Sequence, residues 1–102
     1  MSEWTAIVTG AGIGLGRATA IALAEAGYHV IVTDILDEEG AQVVAEIRES
    51  SRSAEYCRLD VTDTDAVDRL LTDIYSRFAK IDALVLNAGI ARTLPLSSLK
   101  DE

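Results

Sequence analysis

A glycine-rich segment between two apolar runs constrains this chain more than any other feature. Residues 9–16 read Thr-Gly-Ala-Gly-Ile-Gly-Leu-Gly, and they separate a strand-like run from a helix-like run. Glycines at positions 10, 14 and 16 let the backbone turn sharply and come close to a bulky anion. The helix that follows directs its free N–H groups and the positive end of its dipole at the same place. The segment therefore predicts the first strand–turn–helix unit of a doubly wound α/β domain.

The spacing of these glycines does not follow the common G-x-G-x-x-G pattern. When the pattern starts at Gly10, Gly12 or Gly14, its last glycine position is occupied by Leu15, Arg17 or Thr19, respectively. The spacing that fits is T-G-x-x-x-G-x-G. Such a turn is suited to the pyrophosphate of a dinucleotide, although glycine-rich turns also occur in α/β folds that bind no dinucleotide.

The composition limits the classes of partner. The 102 residues carry 9 Lys and Arg against 17 Asp and Glu, for a net charge of −8. This balance argues against nucleic acid or an anionic membrane as the main partner, but a pyrophosphate needs only a local set of N–H groups. With 49% hydrophobic residues, we expect one small domain with an aliphatic core. The chain shows no leader and no apolar stretch of membrane length, so we expect a cytoplasmic protein.

The single cysteine has no partner for an internal disulfide and no companions for a metal site. Cys57 lies in the apolar run 54–59, and we interpret it as a small buried hydrophobic residue rather than a reactive thiol. We predict no metal site.

Short apolar runs alternate with longer helical patterns along the chain. Strands are predicted at 4–9, 29–33, 53–59 and 82–86. The first helix runs from about residue 14 to 26, is expected to be buried on most sides, and ends at Gly27 in a left-handed conformation. Asp37 opens the second helix, and Thr62 or Thr64 caps the third. We interpret His29 as a strand-start residue and Arg17 as an exposed helix residue.

Two of the helices show an inward face with apolar residues at steps of three and four. These residues are Val43, Val44 and Ile47 in the second helix, and Val67, Leu70, Leu71, Ile74, Tyr75 and Phe78 in the third. The order β-α-β-α-β-α-β implies a parallel sheet with right-handed crossovers. In the doubly wound order 3-2-1-4, the ligand crevice opens between strands 1 and 4.

Acidic residues end the second and third strands. A carboxylate at Asp34, 18 residues after Gly16, can accept hydrogen bonds from the adenosine ribose hydroxyls. It would also repel a 2′-phosphate, and so favours NAD over NADP. An ordinary loop carboxylate or a helix cap is the alternative. At the next strand end, Asp60 would face the adenine and Val61 would pack on the ring, although Asp is also a common helix cap there.

The fourth strand ends in Asn87-Ala88-Gly89, on the other side of the expected crevice. An Asn at this position can tie neighbouring strand ends together through its amide. The glycine would let the chain pass close to a ribose.

Together these motifs closely resemble the N-terminal part of the short-chain dehydrogenase/reductase family, over nearly the whole chain. The matches are T-G-x-x-x-G-x-G at residues 9–16, the strand-two acid Asp34, Asp60-Val61, and Asn87-Ala88-Gly89. The resemblance implies a Rossmann-type fold that binds NAD(H). The implied cofactor-binding residues are Gly10, Gly12, Ile13, Gly14, Leu15, Gly16, Asp34, Ile35, Asp60, Val61, Asn87, Ala88 and Gly89.

The resemblance also assigns roles to some of these residues. Gly14 and Gly16 would line the pyrophosphate, while Asn87 and Gly89 would lie near the nicotinamide-side ribose. NADP-dependent members often carry a basic residue where this chain has Ile13, so this position also favours NAD.

The chain departs from the family beyond the Asn-Ala-Gly motif. In members of the family the catalytic Ser, the Tyr-x-x-x-Lys pair and a helical Asn follow that motif, whereas this chain ends at Glu102. No tyrosine here is followed four residues later by lysine, and Ser97 and Ser98 lie too close to the motif to match the catalytic serine. We therefore expect residues 1–102 to be a truncated Rossmann domain that holds NAD(H) without turnover. The alternatives are a stand-alone dinucleotide-binding or sensing module, and a homo-oligomer formed through the outer edge of strand 4.

Overall fold

The computed structural model describes residues 4–87, in which four parallel strands alternate with three helices. The strands are β1 (Trp4–Val8), β2 (Tyr28–Asp34), β3 (Ala54–Arg58) and β4 (Ala83–Val85), and the helices are α1 (Gly14–Glu25), α2 (Asp37–Glu49) and α3 (Thr64–Phe78). The sheet order is β3-β2-β1-β4, so the predicted Rossmann-type arrangement is confirmed. Ala88, Gly89, Ser97 and Ser98 lie outside the described residues.

Alternate residues of the central strands face opposite sides of the sheet, and each side has its own core. Val30 and Val32 face a cluster built with α1 and α2, which cover one side. On the other side, Ile7 and Ile31 pack against Leu70 and Ile74 of α3. The carboxyl ends of all four strands therefore meet at one edge, between helices that cover opposite faces of the sheet.

Helix α1 is less buried than its composition predicts. Only Gly16, Ala20 and Ala24 are buried, and the side of the helix that carries Leu15 faces outward, with that residue 70% exposed. The prediction of burial on most sides was wrong, because a helix that covers a sheet buries one stripe whatever the polarity of its other residues. The helix ends as expected before Gly27, which has a φ of +105° and donates its N–H to the carbonyl of Ala24.

Helix α3 begins with a cap that the sequence interpretation missed. The side chain of Asp63 accepts a hydrogen bond from the N–H of Ala66 at 3.1 Å, so the assignment of the cap to Thr62 or Thr64 was wrong. Thr62 is engaged elsewhere, because its hydroxyl donates to Asp60. Tyr75 was expected on the inward face but is 55% exposed.

Polar contacts fasten the helices to each other and to the sheet. The Nε2 atom of His29 donates to Glu55 at 2.9 Å, and Arg77 of α3 binds the same carboxylate at 2.6 Å. Arg17, although half-exposed, pairs with Glu46 of α2. No helix within residues 4–87 is long and apolar enough to cross a membrane.

Candidate functional site

The glycine-rich segment lies across the carboxyl edge of the sheet, between the two strands that flank β1. The N–H of Thr9 donates to the carbonyl of Val85 in β4, and the N–H of Ala11 donates to the carbonyl of Thr33 in β2, both at 3.0 Å. These bonds hold the segment at the point where successive crossovers change sides of the sheet, which is where doubly wound folds bind ligands.

Two glycines of this segment meet specific geometric demands. Gly10 has a φ of +61°, which residues with a side chain rarely adopt. Gly16 packs so closely that a Cβ there would lie 2.1 Å from the carbonyl oxygen of Gly10. The start of α1 can approach the turn only because both residues lack a side chain, and the helix presents its first N–H groups with no side-chain cap at Ile13.

Asn87 connects the end of β4 to the glycine-rich segment. Its backbone N–H donates to Oγ1 of Thr9 at 3.1 Å, and its side-chain amide donates to the carbonyl of Gly10 at 3.0 Å. The turn is thereby held on its β4 side by a residue 77 positions away in sequence.

Asp34 holds the other side of the turn. Its Oδ2 accepts the N–H of Gly12 at 2.8 Å, and its Oδ1 accepts the N–H groups of Ile35 at 2.7 Å and Leu36 at 3.1 Å. Asp34 is 8% exposed, and these donors fill most of the positions at which its carboxylate can accept a hydrogen bond. The second acceptor position of Oδ2 has no donor within residues 4–87.

Asp60 and Val61, the pair predicted at the end of the third strand, follow β3. Asp60 is exposed, and its Oδ1 accepts both the hydroxyl of Thr62 at 2.6 Å and its N–H at 2.9 Å. Both bonds hold the pKa of Asp60 below its usual range, and the bond from the hydroxyl contributes most. Val61 is half-buried and packs against the α3-side core. Several large apolar side chains stand exposed around the same edge, among them Ile13, Leu15 and Ile35.

Strand β3 brings two further residues to this site that sequence reasoning missed. The hydroxyl of Tyr56 lies 2.9 Å from the carbonyl of Asp34 and 2.6 Å from Oδ1 of Asp37. The guanidinium of Arg58 donates to the carbonyl of Ile35 at 2.8 Å and to Oδ2 of Asp37 at 3.0 Å. The alternation of β3 places both side chains on the face covered by α2, and that signal was available in the sequence once a parallel partner was assigned.

The environment of Tyr56 keeps its hydroxyl protonated. Burial, followed by the hydrogen bond to Asp37, raises the pKa of Tyr56 well above its ordinary value. The same bond, together with Arg58, lowers the pKa of Asp37. At neutral pH this corner of the site therefore holds a carboxylate, a guanidinium and a neutral phenol.

A cavity of about 450 Å³ lies at the opposite edge of the sheet, near the amino ends of β2 and β3. It is lined by Arg48, Arg52 and Ser53, among others, and none of the predicted site residues contributes to it. Within residues 4–87, no group of three or more His, Cys, Asp or Glu side chains is arranged to hold a metal ion.

Comparison with known proteins gives one consistent family. The family model described as short chain dehydrogenase matches residues 4–102. The cis-4-hydroxycyclohexanecarboxylate dehydrogenase of Sinomonas cyclohexanicum is 45% identical over 91 residues, which are 88% of this chain and 36% of that protein. The chain spans about two-fifths or less of the length of curated relatives that it matches.

Solved structures give the same result. A hydroxysteroid dehydrogenase from Escherichia coli superposes with a TM-score of 0.79 at 38% identity, over 84% of this chain and 37% of that one. A metagenomic short-chain oxidoreductase in complex with NADP superposes with a TM-score of 0.78 at 31% identity, over 82% of this chain and 38% of that one. At these identities the likeness extends beyond the fold, and the second protein binds a nicotinamide dinucleotide.

Proposed function

Because the chain belongs to the short-chain dehydrogenase family, we propose that residues 9–16 and the strand ends beside them bind NAD(H). The proposed role is the cofactor-binding part of an oxidoreductase that moves a hydride between nicotinamide and an alcohol or carbonyl carbon. The observation that carries the proposal is the turn held between Asp34 and Asn87, with the uncapped start of α1 behind it. A pyrophosphate is the anion that such a turn and helix end suit.

The residues proposed to bind the adenosine end of the cofactor favour NAD over NADP. The carboxylate of Asp34 retains an acceptor position for a ribose hydroxyl and would repel a 2′-phosphate. The exposed side chains of Ile13 and Ile35 on either side carry no charge that would offset this repulsion. The remaining proposed contacts are those of Asp60 and Val61 with the adenine, and of Asn87, Ala88 and Gly89 with the nicotinamide-side ribose.

Calorimetric titration of the 102-residue chain tests this proposal. We expect NAD to bind with a Kd below about 1 mM, and at least about tenfold more tightly than NADP. Asp34→Ala should weaken NAD binding and narrow the difference between the two cofactors. Asp68→Ala, which removes an exposed carboxylate of α3, is the matched control and should leave both affinities unchanged. A wild-type chain that binds neither dinucleotide at millimolar concentration would contradict the proposal.

The 102 residues contain no Tyr-x-x-x-Lys pair, so we propose that the chain by itself binds cofactor without turnover. Turnover of any alcohol or carbonyl compound well above background, followed by NADH absorbance, would refute this part. Measured binding without turnover would leave both the oxidoreductase part and a stand-alone sensing module open, and the sequence downstream of Glu102 in the gene distinguishes them.

A second candidate function is self-association through β4. Within residues 4–87 this strand pairs only with β1, and Leu84 in the strand and Leu86 just after it are 51% and 64% exposed. An unpaired apolar edge is a template for a further strand, and a second copy could supply one. Light scattering over a range of concentrations tests this, with Leu84→Lys expected to shift the chain toward monomer. A wild-type chain that remains monomeric throughout would exclude the idea.

A further inference from the structure

Asp34 and Arg58 are direct neighbours across the β2–β3 pair. The two residues are register partners in parallel strands, so their side chains leave the same face of the sheet. Both also contact Ile35, since its N–H donates to Asp34 at 2.7 Å and its carbonyl accepts from Arg58 at 2.8 Å. A guanidinium therefore lies one peptide unit away from the carboxylate proposed to accept the ribose hydroxyl.

The guanidinium of Arg58 is already engaged in an ion pair with Asp37. Its Oδ2 accepts from Arg58 at 3.0 Å, while its Oδ1 accepts the hydroxyl of Tyr56 at 2.6 Å. The side chains of Arg58 and Asp37 are 62% and 57% exposed, and an ion pair so open to water is weak enough to be exchanged for a stronger anion. Tyr56 is the more buried partner, and it keeps Asp37 turned toward β3.

A dianionic phosphate is the anion that would compete best for Arg58. Guanidinium groups bind phosphate oxygens in bidentate pairs that are stronger than a single exposed contact with a carboxylate. The 2′-phosphate of NADP would arrive beside Asp34, close to the backbone of Ile35 and hence to Arg58. The side chains of Ile13, Ile35 and Leu36 are uncharged and provide no cation for a 2′-phosphate. Whether a 2′-phosphate finds a favourable charge here therefore depends on whether Arg58 is engaged by Asp37.

We propose that Asp37 is a cofactor-specificity residue, which acts by keeping Arg58 engaged and thus unavailable to the 2′-phosphate of NADP. The proposal rests on the proposed function, because it assumes that the adenosine ribose binds beside Asp34. It predicts that loss of the charge at Asp37, with Arg58 retained, shifts the preference of the site toward NADP.

The test uses the variant Asp37→Asn, which retains an oxygen acceptor for Tyr56 but lacks the charge that holds Arg58. Calorimetric titrations with NAD and NADP at low salt give the ratio of the two Kd values for each variant. We expect this ratio to shift toward NADP by about tenfold in Asp37→Asn, and to return to the wild-type value in the double variant Asp37→Asn/Arg58→Gln. Asp73→Asn is the matched control, since Asp73 is also 57% exposed and paired with an arginine, but lies on α3.

Circular dichroism verifies the fold of each variant, and Asp37→Ser provides the same loss of charge should the Asn variant not fold. An unchanged ratio in a folded Asp37 variant, with wild-type NAD binding intact, would overturn this inference and leave the proposed function standing. A shift that persists in the double variant would also overturn it, because Arg58 would then have no part in the effect. If the wild type binds neither dinucleotide, the proposed function fails first and the inference fails with it.

Discussion

The backbone N–H of Gly12 donates a hydrogen bond to Oδ2 of Asp34 at 2.8 Å, and joins the glycine-rich turn to the end of β2. The same carboxylate accepts two further backbone N–H groups, so this side chain shapes the turn in addition to its proposed contact with a ribose. Stability and NAD binding should therefore both respond to changes at Asp34.

The first prediction is that Asp34→Ala lowers the free energy of unfolding by about 1–3 kcal/mol, because the buried N–H of Gly12 and the part-buried N–H groups of Ile35 and Leu36 lose their acceptor. Urea denaturation measures this, and Asp68→Ala is the control that removes a carboxylate from an exposed position. Equal midpoints for the two variants would contradict the structural role of Asp34.

Gly16 and Gly14 should differ in their tolerance of a methyl group. A Cβ at Gly16 would lie 2.1 Å from the carbonyl oxygen of Gly10 and 2.8 Å from the amide nitrogen of Asn87, whereas a Cβ at Gly14 would meet nothing within 4 Å. Gly14→Ala should cost about 1–2 kcal/mol, because its φ is +59°. Gly16→Ala should cost about 3 kcal/mol or more, because the backbone itself must move. Unfolding free energies in the reverse order would refute this account of the turn.

Gly40 should be required by the ring of Tyr56. A Cβ at Gly40 would lie 2.1 Å from Cε1 of that ring, although alanine is otherwise favoured over glycine within a helix by about 1 kcal/mol. We expect Gly40→Ala to destabilise the protein by about 1–3 kcal/mol. The same change should be nearly neutral or stabilising in a Tyr56→Ala background, and a double-mutant cycle measures the coupling. Additive effects would exclude the steric explanation.

Glu55 should contribute to the pH dependence of stability. Burial acts to raise the pKa of Glu55, but hydrogen bonds from Arg77 and His29 outweigh it and leave the pKa below its ordinary value of 4.5. A carboxylate whose pKa is lower in the folded state stabilises the protein above its unfolded pKa, and this contribution is lost as pH falls through the folded value. The urea concentration at the unfolding midpoint should therefore decrease as the pH is lowered below about 4.5. This decrease should be less steep in Glu55→Gln. Glu49→Gln, at an exposed position of α2, should retain the wild-type slope.

Cys57 should react slowly with thiol reagents in the folded protein. The residue is half-buried rather than buried, and desolvation, followed by the nearby carboxylates of Asp73 and Glu55, raises the pKa of its thiol. Since the thiolate is the reactive form, we expect labelling by Ellman's reagent at pH 8 to be several-fold slower than in the urea-unfolded chain. Asp73→Asn should accelerate the reaction of the folded protein. Equal rates in the folded and unfolded states would contradict the raised pKa.

Local pattern was sufficient to predict the elements and their order. Apolar periodicity predicted each strand and helix, because burial of one face imposes the same period wherever the element lies. The predicted ends of the strands differ from the observed ends by at most one residue at each end. Strand β2 includes Tyr28 and Asp34, and β4 is shorter than the apolar run that predicted it. The cap at Asp63 was missed because several neighbouring residues can accept the same hydrogen bond, and local geometry selects one of them.

The sequence alone determined that this chain forms alternating strands and helices around a glycine-rich turn, and it predicted Asp34 and Asn87 at the strand ends beside that turn. Only the tertiary structure decided how these residues hold the turn, because the Gly12–Asp34 and Gly10–Asn87 hydrogen bonds join segments far apart in the chain. The pairing of Asp34 with Arg58 depends on the register between β2 and β3, and a slip of one residue would send Arg58 to the other face. The close approach of Gly40 to Tyr56 likewise depends on how α2 packs on β3, since a residue's own sequence neighbours do not set the distance between two elements.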